Sequence, residues 1–364
     1  MKVQRALVGA NQYVWLVLDD DFAPIQPIEV FIRYLHYTEK SPNTIQSYAT
    51  HLKLFWEYLL SHNKDWQIIK IADFADFVHW LRSQAPNVIH LRDNAETRRT
   101  ERTVNTILSS LSSFYRYHNQ LGNTDIKLTE PCYLPVNRHR SLLHHVFKHK
   151  PVWKRVIGLK APRTIPKTLS TDEIAILINA CGNSRDKFLL ALLYETGMRI
   201  GQALGLRHED IKSWDNEIHL VFRAHNVNLA RSKSRVPNVL HVSPELMQTY
   251  LQYIQYYPDL MIDNKYVFIN FIDKAPLCYS AVKKLFMRIS KSTGIYVRPH
   301  MLRHTHATEL MRHGWDPAYV QKRLGHANVQ TTIDTYTHVS QYDLKKAFDL
   351  YQGKKNKKVN YEGA

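Results

Sequence analysis

The sequence predicts a mainly α-helical protein with a small antiparallel β-sheet, divided into two domains. The chain has 364 residues, which is enough for two domains that each bury their own core. Amphipathic helical patterns fill residues 28–125 and return after residue 168, whereas β-rich segments are concentrated in residues 216–243. We therefore expect a small helical domain followed by a larger mixed domain.

The first 27 residues are expected to form an N-terminal arm. Apolar and polar side chains alternate around Tyr13 to Leu18, and three aspartates and two prolines follow. Alternation bounded by turn residues is typical of a short strand or hairpin.

Two amphipathic helices define the small helical domain, residues 28–125. Ser41 and Pro42 form a helix start, because serine can cap the first turn and proline fits the first helical position. The apolar residues that follow at spacings of three and four are Ile45, Tyr48, Leu52, Phe55 and Leu59. A second helix from Thr103 has the same pattern at Val104, Ile107, Leu111 and Phe114.

Basic side chains cluster beside the second helix and in the segment after the domain. Arg98, Arg99 and Arg102 precede this helix, and they are either phosphate contacts or part of a solvated helix face. Residues 126–167 form the predicted basic connection, since 131–171 contain no acidic residue. Its candidate phosphate contacts are Lys148, Lys150, Lys154 and Arg155. The alternative for this stretch is an unstructured solubilising loop.

The second domain is expected to start at residue 168. Ser170 and Glu173 have the spacing of a capping box, and Ile174, Leu177, Ile178 and Cys181 continue one helical face. The segments EIHLVF and VLHVS then predict an antiparallel sheet around the polar turn at 232–235. The domain extends to residue 351, and residues 352–364 form a basic tail.

The charge balance points to a polyanionic partner. Lys and Arg number 49 against 32 Asp and Glu, a net charge of +17, which favours nucleic acid. There is no apolar run of membrane-spanning length and no signal-peptide pattern, so a soluble, cytoplasmic protein without a membrane partner is expected. Cys132, Cys181 and Cys278 form no CxxC pair, which argues against disulfides and a cysteine zinc site.

Four stretches of the second domain carry a recognisable combination of chemical groups. They are YETGMRIGQALGLRHEDI, RSKSRVPNVLHV, HMLRHTHATELMRHG and LGHANVQTTIDTYTH. In this order they resemble the tyrosine recombinase, or phage integrase, family. Its signature is an arginine after Thr-Gly, a hairpin lysine, HxxR, LGH, and a tyrosine ten residues after that histidine. The helical stretches of residues 28–125 are similar to the family's SAM-like core-binding domain.

This resemblance implies a C-shaped clamp of two domains around double-stranded DNA, and it assigns catalytic residues. The residues that match the signature are Arg199, Lys233, His300, Arg303, His326 and Tyr336. Tyr336 would be the nucleophile, and the two arginines would bind the non-bridging oxygens of a pentacoordinate phosphate. His300 would help to deprotonate the tyrosine, Lys233 would protonate the leaving 5′-oxygen, and His326 would add a hydrogen bond.

The resemblance also implies that no metal or cofactor is needed, because a phosphotyrosine link conserves the energy of the phosphodiester. His300, His304 and His306 lack the HExxH pattern or a nearby cysteine that would favour zinc. Two positions depart from the family's usual residues: Gln202 replaces a common glutamate, and His208 replaces a frequent tryptophan. These departures leave open which neighbouring groups hold Arg199 in position.

Several functions remain as alternatives. A type IB topoisomerase would use similar chemistry, and a non-enzymatic DNA-binding regulator would need no tyrosine nucleophile. Within the family, the opening segment and SPNTIQSYA are similar to the transposase A group of site-specific transposons, which work with partner recombinases. An integrase or a resolvase of chromosome dimers is the other interpretation. A homotetramer on prokaryotic nucleoid DNA is expected, with the apolar stripe Leu344, Phe348 and Tyr351 docking either in its own subunit or in a neighbour.

Overall fold

The computed structural model describes residues 1–7, 13–83, 99–132, 152–162, 166–223, 226–231, 236–258 and 264–325. The chain divides into two compact units, residues 1–163 and 164–364. Within the described ranges the secondary structure is mainly helical, with three small antiparallel sheets. This confirms the predicted fold class. None of the helices in these ranges has the length and apolar character that crossing a membrane would require.

The first unit begins with the hairpin that the alternating pattern predicts. Strands β1 (Lys2–Leu7) and β2 (Tyr13–Leu18) pair in antiparallel fashion, with Lys2 opposite Leu18. Val17 and Leu18 are buried, and Val17 joins the apolar core of the helices that follow. The arm is thus attached to the helical unit through its second strand.

Four helices build the core of the first unit. They are α1 (Gln26–Tyr37), α2 (Pro42–Ser61), α3 (Ile71–Arg82) and α4 (Glu101–Gln120). Helix α2 begins as predicted, because the Ser41 hydroxyl accepts a hydrogen bond from the Thr44 amide at 3.2 Å. Helix α4 begins two residues before the expected Thr103, capped by Thr100. Aromatic rings fill the interior, including Phe31, Phe55, Phe74, Phe77 and Phe114.

The described parts of the expected connection, residues 126–132 and 152–162, belong to the first unit. Strand β3 (Thr129–Cys132) pairs antiparallel with β4 (Val152–Arg155), with Thr129 opposite Arg155. The Asn105 side chain on α4 then binds both backbone groups of Leu159, at 2.7 Å and 2.9 Å. This stretch therefore lies against α4, where the sequence predicted an extended segment between domains.

The second unit is a helical assembly with one three-stranded sheet. Helix α5 (Thr171–Asn179) has the predicted capping box: the Ser170 hydroxyl and Glu173 carboxylate each accept an amide hydrogen of the other residue. The next elements are α6 (Ser184–Thr196), α7 (Ile200–Ala203), β5 (Ile211–Lys212), β6 (Glu217–Leu220) and β7 (Asn238–His241). The last described helices are α8 (Pro244–Tyr256), α9 (Tyr279–Thr293), α10 (Pro299–Arg312) and α11 (Pro317–Leu324).

The sheet order is β5-β6-β7, and both pairings are antiparallel. Ile218 of β6 and Leu240 of β7 are buried opposite one another and join the core formed by the helices. The β6–β7 connection, residues 221–237, is the hairpin in which the sequence places Lys233. Residues 224–225 and 232–235 of this connection lie outside the described ranges.

Candidate active site

The first candidate arginine, Arg199, lies at the N-terminus of α7, just after a tight turn. Gly197 ends α6 with a φ of +62°, a conformation that costs glycine little. A Cβ atom at this position would lie 2.7 Å from Cδ2 of His306 and 2.8 Å from Cδ2 of Leu324. The glycine is therefore needed both for the turn and for the close packing of α10 and the end of α11 against it.

Gln202 fixes the backbone of Arg199. Its Oε1 accepts a hydrogen bond from the Arg199 amide at 2.9 Å. An amide oxygen can do this as well as a carboxylate can, but it adds no negative charge. The departure from glutamate thus preserves the helix cap and leaves the site more positive.

Arg303 projects from α10 into the same region and is nearly inaccessible, with 3% of its surface exposed. Its guanidinium donates to the carbonyl of Gly197 at 2.8 Å and to the carbonyl of Leu324 at 2.9 Å. Arg199 donates to the next carbonyl, that of Gly325, at 3.3 Å. The two arginines therefore meet at the backbone that leads directly into His326.

His300 lies one helical turn before Arg303 on α10. Residues three apart share a helix face, and His300 is exposed to solvent. The neighbouring His304 is half-buried, and burial, followed by the charges of His300 and Arg303, lowers its pKa. Burial and the positive surroundings thus favour the neutral imidazole of His304.

A second group of residues, which no sequence motif marks, supports this centre. Arg323, just before Leu324, donates to the carbonyl of His241 on β7 and to that of Glu195 on α6, each at 3.1 Å. Its Nε also lies 3.0 Å from Nε2 of His306 on α10. One guanidinium therefore ties the end of α11 to three other elements.

The hydrogen bond from Arg323 determines which ring nitrogen of His306 carries the proton. Arginine is always a donor, so Nε2 of His306 must accept, and the ring proton must be on Nδ1. Burial, followed by the charges of Arg323 and Arg303, lowers the pKa of His306 to about 3. The imidazole is consequently neutral at physiological pH and acts as a buried acceptor.

His208, the second departure from the family pattern, is a packing residue in this structure. Its Nδ1 lies 2.7 Å from the Tyr250 hydroxyl of α8. Burial lowers its pKa, so it is held neutral. It therefore joins the turn after α7 to α8 by a hydrogen bond to a tyrosine.

The candidate DNA contacts in the first unit have differing environments. Arg99 donates to the Leu81 carbonyl at 3.0 Å, Arg102 donates to the Pro162 carbonyl at 3.2 Å, and Arg155 donates to the Asn105 carbonyl. Lys154 is exposed. Three of the four described candidates thus also stabilise their own unit through hydrogen bonds to backbone carbonyls.

Lys233, His326, Tyr336, Arg98, Lys148 and Lys150 lie outside the described residues, as does the apolar stripe at 344–351. Within the ranges that are described, no three His, Cys, Asp or Glu side chains gather as a metal-binding group.

Comparisons with known proteins match both units. Residues 167–342 match the Phage integrase family, and residues 28–120 match the N-terminal SAM-like domain of phage integrases. Transposase A from transposon Tn554 of Staphylococcus aureus is 44% identical over 364 residues, covering 98% of this chain and 100% of that protein. Tyrosine recombinase XerA of Pyrococcus horikoshii is 31% identical over 52% of this chain and 63% of its own length.

Solved structures share the fold. The Tn1549 transposon integrase in complex with transposon right end DNA has a TM-score of 0.60 at 16% identity, covering 90% of this chain and 98% of that chain. A lambda integrase dimer bound to a COC′ core site has a TM-score of 0.56 at 15% identity, with 84% and 96% covered. The resemblance to the transposase A group is confirmed by the full-length match. The chain therefore belongs to the phage integrase family of tyrosine recombinases and is a site-specific recombinase.

Proposed function

We propose that this protein cleaves and rejoins double-stranded DNA through a covalent 3′-phosphotyrosine link to Tyr336, during excision and insertion of a mobile element. The observation that supports this most directly is the convergence of Arg199 and Arg303 on the carbonyls of Gly325 and Leu324. These carbonyls precede His326 immediately. Two planar cations and an adjacent histidine suit a phosphate that gains negative charge during attack.

The proposed reaction has two reversible steps. The Tyr336 oxygen attacks phosphorus, forming the phosphotyrosine bond while the bond to the 5′-oxygen breaks. His300 receives or shares the phenolic proton, and Lys233 supplies a proton to the departing 5′-oxygen. Arg199, Arg303 and His326 stabilise the charged phosphate. A 5′-hydroxyl from another strand then reverses the step, so ligation needs no nucleotide cofactor.

The proposed substrate and setting follow from charge and similarity. A net charge of +17 favours binding to DNA phosphates, with Arg98, Arg99, Arg102, Lys148, Lys150, Lys154 and Arg155 as candidate contacts. The full-length similarity to a transposase A favours transposition over resolution of chromosome dimers, with other recombinases of the element as partners. Strand exchange between two duplexes requires four cleavages, so a tetramer on cytoplasmic, nucleoid DNA is the expected assembly.

A nicked suicide substrate tests the nucleophile. Incubation with duplexes from the element's junctions should trap a covalent protein–DNA adduct, and peptide mapping should find the phosphate on Tyr336. Tyr336→Phe should form no adduct yet bind the duplex with similar affinity, because the change removes one oxygen and no charge. Tyr319→Phe is the matched control, since this α11 tyrosine is 67% exposed. An adduct in Tyr336→Phe would refute the assignment.

A further inference from the structure

The base of the β6–β7 hairpin is packed directly on α7. A Cβ atom added to Gly201 would lie 2.7 Å from the carbonyl oxygen of Arg231, a distance that real Cβ contacts do not reach. Gly201 is the second residue of α7, and Arg199 caps the same helix. The backbone at Arg231 thus rests on the helix that presents the first candidate arginine, with no side chain between them.

Two asparagines fasten the same part of the hairpin. Asn228 donates through its amide to the carbonyl of Leu204, at the end of α7, and to the carbonyl of Leu277, each at 2.9 Å. Its Oδ1 accepts a hydrogen bond from the Ala230 amide at 3.1 Å. Buried Asn226 donates to the Ala230 carbonyl at 2.8 Å. The chain is therefore held by side-chain amides immediately before Arg231.

The chain just after β6 has its own attachment. Arg223 donates to both carboxylate oxygens of Asp210, at 2.7 Å and 2.8 Å, and Asp210 is 3% exposed. A bidentate pair of this kind fixes orientation as well as distance. The backbone of the β6–β7 connection is thus fixed at Arg223 and again at residues 226–231.

We propose that Gly201 and Asn228 are positioning residues for Lys233. Lys233 lies two positions after Arg231, so the chain between them can span at most about 7 Å. A general acid must reach the leaving oxygen within hydrogen-bonding distance, and a long lysine side chain gives little directional control by itself. The packing on α7 sets the lysine's point of attachment relative to Arg199. This inference rests on the proposed role of Lys233 as general acid.

The test compares two leaving groups in single-turnover cleavage by the full-length protein. One substrate is the ordinary phosphodiester, and the other has sulfur in place of the bridging 5′-oxygen, which leaves without a proton. Asn228→Ala removes the two amide contacts, and Gly201→Ala displaces the Arg231 carbonyl. We expect each variant to cleave the ordinary substrate about 100-fold more slowly, the loss typical of misplacement by about 1 Å. The sulfur substrate should be cleaved at close to the wild-type rate.

The ratio of the two rates is the decisive quantity, because a fraction of unfolded protein lowers both rates equally and cancels. Gly182→Ala is the matched control, since a Cβ atom there meets nothing within 4 Å. Lys233→Ala must show the same selective recovery, and its failure would refute the general-acid role itself. Suppose that Lys233→Ala recovers its cleavage rate on the sulfur substrate, but Asn228→Ala and Gly201→Ala cleave both substrates more slowly to the same extent. The positioning role is then wrong.

Discussion

At the scale of single residues, His306 shows how a buried polar group is kept compatible with its surroundings. The imidazole is 7% exposed, and the charges of Arg323 and Arg303 both act on it. A charged imidazolium would be repelled by both cations and would lose its hydration. A neutral ring instead accepts the Arg323 hydrogen bond. The residue therefore stabilises the fold only while it remains unprotonated.

This gives a prediction for the stability of the protein at low pH. The pKa of His306 is about 3 in the folded state against 6.5 ordinarily, so between these values the unfolded state binds more protons. The free energy of unfolding must then fall as the pH falls through this window. From pH 6.5 to 4.5 the loss from this residue is about 2 kcal/mol.

The variant His306→Gln checks this prediction, because its amide oxygen can accept from Arg323 and does not titrate. Urea unfolding should show the variant less stable at pH 7 by about 1–2 kcal/mol. Its stability should then decline less steeply than that of the wild type towards pH 4.5. Parallel curves for the two proteins would contradict a depressed pKa at His306.

The cysteines provide a second test at this scale. Cys181 is buried, and burial raises the pKa of its thiol to about 12. Cys278 is exposed, and a hydrogen bond with Ser280 lowers the pKa of its thiol. Since the thiolate is the reactive form, iodoacetamide should alkylate Cys278 at least tenfold faster, as measured by peptide mass spectrometry. Equal rates in the native protein would contradict this order.

Local motifs located part of the candidate site, and long-range contacts account for what was missed. Arg199 and the pair His300 and Arg303 are marked by neighbours within a few residues, and the structure brings the two arginines to adjacent carbonyls. The Arg323–His306 hydrogen bond joins residues 17 apart, and Arg323 also reaches a carbonyl 128 residues away. A single sequence contains no signal for such pairings.

At the scale of secondary structure elements, the start of a helix depends on neighbouring residues, whereas the pairing of a strand depends on distant ones. The caps at Ser41 and Ser170 are local, and both helices begin where the sequence predicted. The β3–β4 pairing depends on partners 20 to 26 residues away along the chain, and the prolines and basic residues of this stretch suggested an extended connection instead. Local composition therefore predicted an extended backbone there but could not predict its partner.

This pairing leads to a prediction about two neighbouring cations. Arg155 donates to the Asn105 carbonyl, whereas Lys154 is exposed on the same strand. Lys154→Gln should reduce the salt dependence of DNA binding, since each phosphate contact contributes a slope of about one. Arg155→Gln should mainly destabilise the first unit, by about 1 kcal/mol. Fluorescence anisotropy at several salt concentrations measures the first effect, and thermal unfolding measures the second. The structure would be contradicted if Lys154→Gln destabilised the unit and Arg155→Gln reduced the salt dependence.

At the scale of the whole molecule, each unit has its own apolar core. The core of the first unit draws on residues between Val17 and Leu128, with Ile157 and Leu159 packed against it. The large core of the second unit runs from Leu169 to Leu302. A unit that buries its own core can fold alone. The two units should therefore be separable by cutting the chain between residues 162 and 164.

The position of this boundary gives the last prediction. A fragment of residues 1–162 should unfold cooperatively, whereas a fragment of residues 1–125 loses Leu128, which is 7% exposed. It also loses the two hydrogen bonds between Asn105 and Leu159. Burial of one leucine contributes about 2 kcal/mol, and two hydrogen bonds contribute about 1 kcal/mol each. The shorter fragment should thus be less stable by about 3–4 kcal/mol.

Urea unfolding of three fragments tests where the first unit ends. Residues 1–132 keep Leu128 but lack β4 and the Asn105 contacts, so this fragment should fall between the other two in stability. The comparison separates the contribution of the buried leucine from that of the segment along α4. If residues 1–125 and 1–162 unfold at the same urea concentration with the same slope, residues 126–162 form a connection that adds nothing to the helical unit. A stepwise gain in stability would instead show that the helical unit requires these residues as part of its fold.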